Sequence, residues 1–413
     1  MESPAAPHLR DRGVPAVDLA PDSGTPRARS TRVRLLLAGA GHSHLAVLRD
    51  LAARPIAGLS AALVVPELRS LYSGMVPSVL AGRSEARSAT IDLQPLARRS
   101  GVKLLPGRLE EVDPVRSVVR TQAGDEIAWE VLSVDVGSAV RDPGGLLSDP
   151  RVVAVRPLGA LVRRVDEFAE SAATGRVEPV AAVVGAGAAG VEVAFSLRAR
   201  LRALPSARVL LVERGPGPLP GASVAARRIV ARELARTGVE VVVGSDREVA
   251  LDERGLVSGG EVVACPALVV LASGASPPPL LARSGLALRD GWMLVDRFLR
   301  SVGRPKVLGS GDCIALDGHG PLERSGVLAV RQAPVLAANL RAALGEAAAR
   351  PVEWTPPAAS LALIGTGDGR AIALRGRLAA VGRPWWWLKR RIDSAYVAAH
   401  RVATPPGVPP SAV

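Results

Sequence analysis

The chain has 413 residues, 48% hydrophobic and 22% charged, with a formal net charge of +13. That length exceeds a single core, so two or three domains are expected, and two cysteines supply neither a disulfide framework nor a metal-ligand cluster, which points to a reducing, cytoplasmic setting. The basic residues lack interleaved aromatics and a binding motif, which excludes nucleic acid, and no run is long and apolar enough to span a bilayer; the surplus charge suits anionic cofactors or a membrane surface.

Residues 1–31 are rich in Pro, Arg, Ala and Ser without apolar periodicity, and are expected to be a disordered tail. They hold no apolar segment of a secretory signal, and Glu2, Asp11, Asp18 and Asp22 argue against a transit peptide. Arg34 to Leu48, RLLLAGAGHSHLAVL, reads as a strand, a phosphate-binding turn and a helix. Gly39 lets the chain turn tightly, and Gly41 removes the side chain where a pyrophosphate would press against N–H groups at the helix N-terminus. His44 stands where a third glycine is usual. A second aliphatic strand, Ala61 to Val65, leads to Glu67, an acid at the spacing that hydrogen-bonds ribose hydroxyls. Leu71 to Ala81 is then a loop and short helix, Ile91 to Ser100 a helix, and Val102 to Pro106 a strand. From Arg108 to Arg120 and Glu126 to Val136 the period becomes two, with a turn at Thr121 to Asp125. This predicts an antiparallel excursion on a parallel sheet, ending at Gly137.

A second copy follows. Val183 to Ala194, VVGAGAAGVEVA, leaves the strand Val180 to Val184 and has all three glycines, Gly185, Gly187 and Gly190. Gly190 and Glu213 are 23 positions apart, as are His44 and Glu67. Two matched units imply two dinucleotides. The second unit starts near Arg151, with helices at Gly190 to Leu204 and Ser223 to Thr237. It leaves through the buried strand Leu268 to Leu271 into Gly274, much as the first leaves at Gly137. The organisation expected is an α/β fold of two Rossmann-like dinucleotide-binding domains: first domain 32–150, inserted domain 151–274, return of the first domain 275–345, and a small C-terminal region 346–413.

The return begins at Lys306 to Asp312, KVLGSGD. A short strand delivers Gly309, Gly311 and Asp312 to a loop where the carboxylate can bond a polyol hydroxyl and the glycines admit the ligand; a plain β-turn is the other reading. Val327 to Leu340 has helical periodicity from Gln332 onward, with Pro334 in the first turn. Its N-terminus would offer N–H donors and partial positive charge beneath a flavin. Leu361 to Leu374 alternates like a hairpin with a turn at Gly367 to Gly369. Pro384 opens a last helix with Trp385, Leu388, Ile392, Tyr396 and Ala399 at helical spacing. Residues 384–402 could lie in the inner face of a membrane, cap the first domain, or form a homodimer face; packing is preferred because the apolar stripe is narrow and alanine-rich.

The ordered set AGAGHSHLAVLR, LYSGMVPSVLAG, IDLQPLARRSGVKLLPG, ASGASP, GSGD, AVRQAP and LIGTGDGRAIALRG resembles the FAD-dependent pyridine nucleotide-disulfide oxidoreductase superfamily. Within it, the set is most similar to the type II NADH dehydrogenase-like subgroup associated with selenide, water dikinase. The likeness covers residues 33–400 or so. It implies that Gly39, Gly41 and Glu67 hold the adenosine end of FAD, that Asp312 and Gly311 meet the ribityl chain, and that Gln332 and Ala333 meet the flavin pyrimidine edge. It implies that Gly185, Gly187, Gly190, Glu213 and Gly274 hold NADH, the acid favouring NADH over NADPH and Arg214 moderating that preference.

His42 and His44 are read as a variant of the flavin turn, since no third and fourth metal ligand is evident. Glu192 either faces the nicotinamide or is an exposed first-turn acid. Tyr72 and Met75 line the flavin or simply pack. Cys313 and Cys265 are taken as inert thiols, and the cysteine pair of disulfide-reducing members is absent from its place beside the first glycine motif. The resemblance therefore implies an enzyme passing hydride from NADH to flavin and electrons onward to an acceptor such as a quinone, with no acid-base catalyst among the side chains. A flavin-binding regulatory or docking protein serving selenium metabolism is the alternative, and sulfide:quinone reductase the weaker one.

Overall fold

The computed structural model describes residues 30–244 and 249–402. The tail expected to be disordered lies, up to residue 29, outside the described residues. Two parallel sheets form the frame. In the first, the strands run in the spatial order Val102–Pro106, Ala61–Val65, Ser30–Ala38, Glu126–Val134, Arg304–Gly309, all parallel. In the second the order is Glu240–Val243, Arg208–Glu213, Val180–Val184, Leu268–Leu271, Val152–Ala154, again all parallel. The repeat is therefore structural: counted from the strand that precedes each glycine turn, third, second, first and fourth strands stand in the same order in both sheets. Aliphatic runs such as Ala61–Val65 and Leu268–Leu271 are buried along their whole length, as central strands covered on both faces require.

The antiparallel excursion forms from Leu109–Asp113, Val118–Thr121 and the start of Glu126–Val134. The second unit has its own three-stranded counterpart, Val249–Asp252, Gly255–Ser258 and Glu261–Ala264. The two connections between the sheets pair with each other, Ala139–Val140 against Ala275–Ser276.

Two elements differ from expectation. The helix expected from Gln332 runs over Gly326–Ala343, with Pro334 in its interior. Its buried face, Leu328, Ala329, Gln332, Ala333, Leu336, Ala337 and Leu340, continues without a break across the proline. Burial of the first turns outweighs the one hydrogen bond that the proline removes. The expected hairpin is a three-stranded meander, Leu361–Gly365, Ala371–Arg375 and Leu378–Gly382. Its third strand, LAAVG, is half-exposed and alanine-rich, so it shows little alternation.

The helix of the first turn, His42–Ala53, packs along Gly326–Ala343. Arg341, buried on the latter, bridges to Asp50 on the former at 2.7 Å. The last helix, Arg383–His400, lies against both the meander and the first domain.

Candidate dinucleotide sites

At the first turn Gly39 has φ +89°, a conformation that a side chain would strain, and a methyl group there would fall 2.5 Å from Asp135 O. Gly41 caps the helix, and its N–H donates to Asp135 O at 3.2 Å. The fully buried Asp135 is the residue that the sequence did not flag. Its Oδ2 accepts from Ser43 N–H at 3.0 Å and from His44 N–H at 3.1 Å, at the helix N-terminus. Its Oδ1 lies where a methyl group on Gly41 or on Gly311 would sit, at 2.2 and 2.4 Å. Burial pushes the Asp135 carboxyl up to about 7, against the pull of those two N–H groups.

His44 is wholly buried. Its Nδ1 lies 2.6 Å from Gly39 O and its Nε2 2.8 Å from Ser133 Oγ. Both ring nitrogens are thus spent inside the protein, and burial pushes the ring down to about 4. The His44 side chain therefore braces the turn from behind. His42 is half-buried, with Nε2 3.4 Å from Ser73 Oγ. Burial takes its ring down to about 4 as well, opposed by Asp312 and helped by Arg156.

Asp312, Gly311 and Gln332 come together as expected. Gly311 N–H donates to Gln332 Oε1 at 2.6 Å. Asp312 Oδ2 accepts from Arg156 Nη1 at 2.7 Å and from Ser138 Oγ at 3.4 Å. Gln332 and Ala333 are buried in mid-helix, so the free N–H donors expected just ahead of Gln332 lie instead at Ser325 and Gly326, next to His42. Glu67 is exposed just past its strand, with Oε2 3.6 Å from where a methyl group on Gly159 would be.

The second turn has the same frame. Gly185 has φ +102°, and a methyl group there would fall 2.4 Å from Ala272 O. Gly190 approaches Gly185 O so closely that a methyl group would sit 1.8 Å away. Around Gly187 nothing lies within 4 Å, leaving the helix N-terminus open. Glu213 Oε2 accepts from Ala186 N–H at 2.7 Å and its Oε1 from Gly215 N–H at 2.8 Å, so the acid is fixed at the lip of the turn. Gly274, with φ +105° and nothing within 4 Å, lines the exit strand beside it.

Glu192 is not the exposed first-turn acid of the second reading. Its side chain is 16% exposed, accepting from Gly365 N–H at 2.7 Å and lying 3.5 Å from Lys389 Nζ. Lys389 also bonds Gly74 O at 2.9 Å and pairs with Asp393 at 3.3 Å. Burial works to lower the Lys389 ammonium, yet the two carboxylates hold it above its ordinary value. One turn further on, Tyr396 stacks on Tyr72 with ring centroids 4.3 Å apart, and both rings abut His42. The last helix therefore closes over the YSGM loop and the first turn, while Trp387, 61% exposed, and Ile392 face outward.

Cys313 is buried against Ser310 O at 3.1 Å, and burial pushes its thiol up to about 12. Cys265 is exposed beside the second domain's antiparallel strands, bonding Arg254 O. The two thiols belong to different domains and do not form a pair. Among the described residues no three His, Cys, Asp or Glu side chains gather as metal ligands, and no helix is long and apolar enough to cross a membrane.

Residues 33–338 match the family described as pyridine nucleotide-disulphide oxidoreductase. An NADH dehydrogenase-like protein of Mycobacterium tuberculosis is 29% identical over 228 residues, covering 52% of this chain and 56% of the relative. The match thus spans little more than half of that relative's length. Among solved structures, the sulfide:quinone oxidoreductase of Aquifex aeolicus superposes with a TM-score of 0.73 at 15% identity, covering 91% of this chain and 93% of the other. The water-forming NADH oxidase of Lactobacillus brevis, bound to NADH, gives 0.69 at 17% identity over 84% and 75%. These two likenesses establish the fold.

Proposed function

Because the chain belongs to the pyridine nucleotide-disulphide oxidoreductase family, we propose that it is an FAD-dependent oxidoreductase that takes hydride from NADH and passes the electrons to a small acceptor, a quinone foremost. The observation that carries this reading is the second glycine turn: Gly187 faces open space at a helix N-terminus and Glu213 is fixed at its lip. A protein that only stored a flavin would have no use for such a site.

The residues that would hold FAD are Gly39, Gly41 and the helix N-terminus for the pyrophosphate, Asp312 for the ribityl hydroxyls, and Gln332 for the pyrimidine edge. Gly39 fits through its left-handed turn, and Gly311 through its place between Asp135 and Gln332. At Gly41 the fit has one conflict, the Asp135 carboxylate. When bound, FAD supplies hydride acceptance and onward electron transfer.

This chain's own part is placement. Gly185 and Gly190 keep backbone and helix in close contact, which presents the N–H groups around Gly187 to an anion. Glu213 would accept a ribose hydroxyl and repel a 2′-phosphate, which favours NADH. Tyr72 and Tyr396 would keep water from one side of the reacting region. The test is anaerobic addition of NADH to the purified yellow protein while flavin absorbance is followed, with NADPH for comparison. Rapid bleaching by NADH is the expected result. A flavin that binds but stays oxidised with both nucleotides would overturn the dehydrogenase reading.

A further inference from the structure

The two glycine turns share one backbone frame where each meets the end of its fourth strand. Asp135 N–H donates to Ala38 O at 2.9 Å, and Ala272 N–H donates to Val184 O at 2.8 Å. Asp135 O underlies Gly39 as Ala272 O underlies Gly185. Asp135 and Ala272 thus hold the same place at the end of the fourth strand of each unit. Where Ala272 leaves the space at Gly187 empty, Asp135 fills the corresponding space at Gly41 with a carboxylate that takes the Ser43 and His44 N–H groups. Those donors and the helix's positive end form the anion site of the turn.

We propose that Asp135 is a built-in stand-in for the dinucleotide pyrophosphate at the first turn, so that FAD loads only when this carboxylate takes up a proton. The inference rests on the flavoprotein reading and deepens it. A carboxylate and a pyrophosphate at one buried helix N-terminus repel each other, and the ligand's charge does not change across the neutral range. The protein side must therefore give up the charge, and binding is accompanied by proton uptake. The ease of that protonation agrees with the raised Asp135 carboxyl.

The groups facing Asp135 add no compensating cation. Asp312 and Cys313 approach from the 311–313 turn, Tyr396 from the last helix, and the His44 ring is neutral with both nitrogens occupied. Arg156 and Arg324 are engaged with the Asp312 carboxylate and with the Asp312 and Ile314 carbonyls.

The experiment is FAD titration of the full chain stripped of flavin, from pH 6 to 9, for the wild type, Asp135→Ala and Asp135→Asn, with a thermal melt of each to establish folding. Asp135→Ala reproduces the second turn, and Asp135→Asn keeps an acceptor for the two N–H groups without the charge. Wild-type Kd is expected to rise about tenfold per pH unit above the Asp135 titration, and both variants to show a flat profile. Calorimetry at pH 8.5 in two buffers of different ionisation enthalpy should show about one proton taken up by the wild type and none by the variants. A flat wild-type profile, or the same slope in folded variants, would overturn the proposal while leaving the flavoprotein reading standing. Folded protein that binds FAD in none of the three forms at any pH would overturn the flavoprotein reading and this inference with it.

Discussion

Lys389, on the last helix, stands 3.5 Å from Glu192, on the helix of the second glycine turn. The same ammonium bonds Gly74 O in the first domain and pairs with Asp393. One side chain therefore ties together the second domain, the C-terminal region and the loop ahead of the short helix Val76–Leu80. Replacing Lys389 with Met should leave two buried carboxylates without a cation and cost roughly 3 kcal/mol. Differential scanning calorimetry checks this, and Glu192→Gln in the same chain should recover part of the loss. An unchanged melt would mean that the contact is solvated and contributes little.

Gly187 and Gly190 separate ligand contact from folding. A methyl group at Gly190 would collide with Gly185 O, whereas Gly187 has free space. Gly190→Ala should lower both thermal stability and NADH affinity. Gly187→Ala should melt like the wild type and lose NADH affinity about tenfold or more, which is about 1.4 kcal/mol at the crowded pyrophosphate contact. Equal NADH binding by wild type and Gly187→Ala would show that the nucleotide lies elsewhere.

Glu213 builds the lip of the second turn, and the NADH reading also gives it the choice of coenzyme. Its two oxygens are held by Ala186 and Gly215 N–H. Glu213→Ala should reduce the preference for NADH over NADPH by about tenfold, measured as the ratio of kcat/KM values. A ratio equal to the wild type's would assign the choice of coenzyme to other residues, Arg214 first.

His44 sets an acid limit. Its ring titrates near 4 in the folded chain against 6.5 ordinarily, because burial disfavours the charged form. Its contribution is therefore complete above pH 6.5 and is lost as pH falls from 6.5 toward 4, up to about 3 kcal/mol. Asp135 runs the other way: with its folded value raised, its contribution is present below 3.8 and is lost as pH rises through about 7. Melts of wild type and His44→Gln between pH 4.5 and 6.5 isolate the first effect, since the difference between them should widen with pH. A constant difference would contradict the neutral buried ring.

The last helix offers two faces with opposite expectations. Val397 is buried and should cost about 2 kcal/mol when cut to Ala. Trp387→Ser with Ile392→Ser should change stability by less than about 1 kcal/mol, because both side chains face outward. Liposome flotation of this double variant against the wild type tests membrane contact with the packing left intact. Equal recovery of the two would remove the membrane role of 384–402.

The glycine turns were legible because their requirement is local. A left-handed residue and a close backbone approach demand glycine wherever they occur, and Gly185, Gly187 and Gly190 announce them within six residues. Glu213 was legible through the fixed length of a strand-helix-strand unit. Asp135 was not, because it acquires its role only when a strand end meets a helix N-terminus 92 positions earlier in the chain. The repeat did hold the clue, for VLSVDVGS and LVVLASGAS align with Asp135 opposite Ala272. Glu192 was half-legible for a related reason. Its spacing from Gly190 left it either toward the coenzyme or exposed, and Gly365, 173 positions away, removes the exposed reading by packing on it.

The pairing of Ala139–Val140 with Ala275–Ser276 sets entry and exit of the second sheet side by side in one ribbon. Topologically the whole intervening unit is a cassette whose two leads share a single socket in the host. Such a cassette can be gained, lost or exchanged in evolution without moving any strand of the receiving sheet. A duplicated copy of the first unit could have entered its own parent by this route and left the original strand order in both.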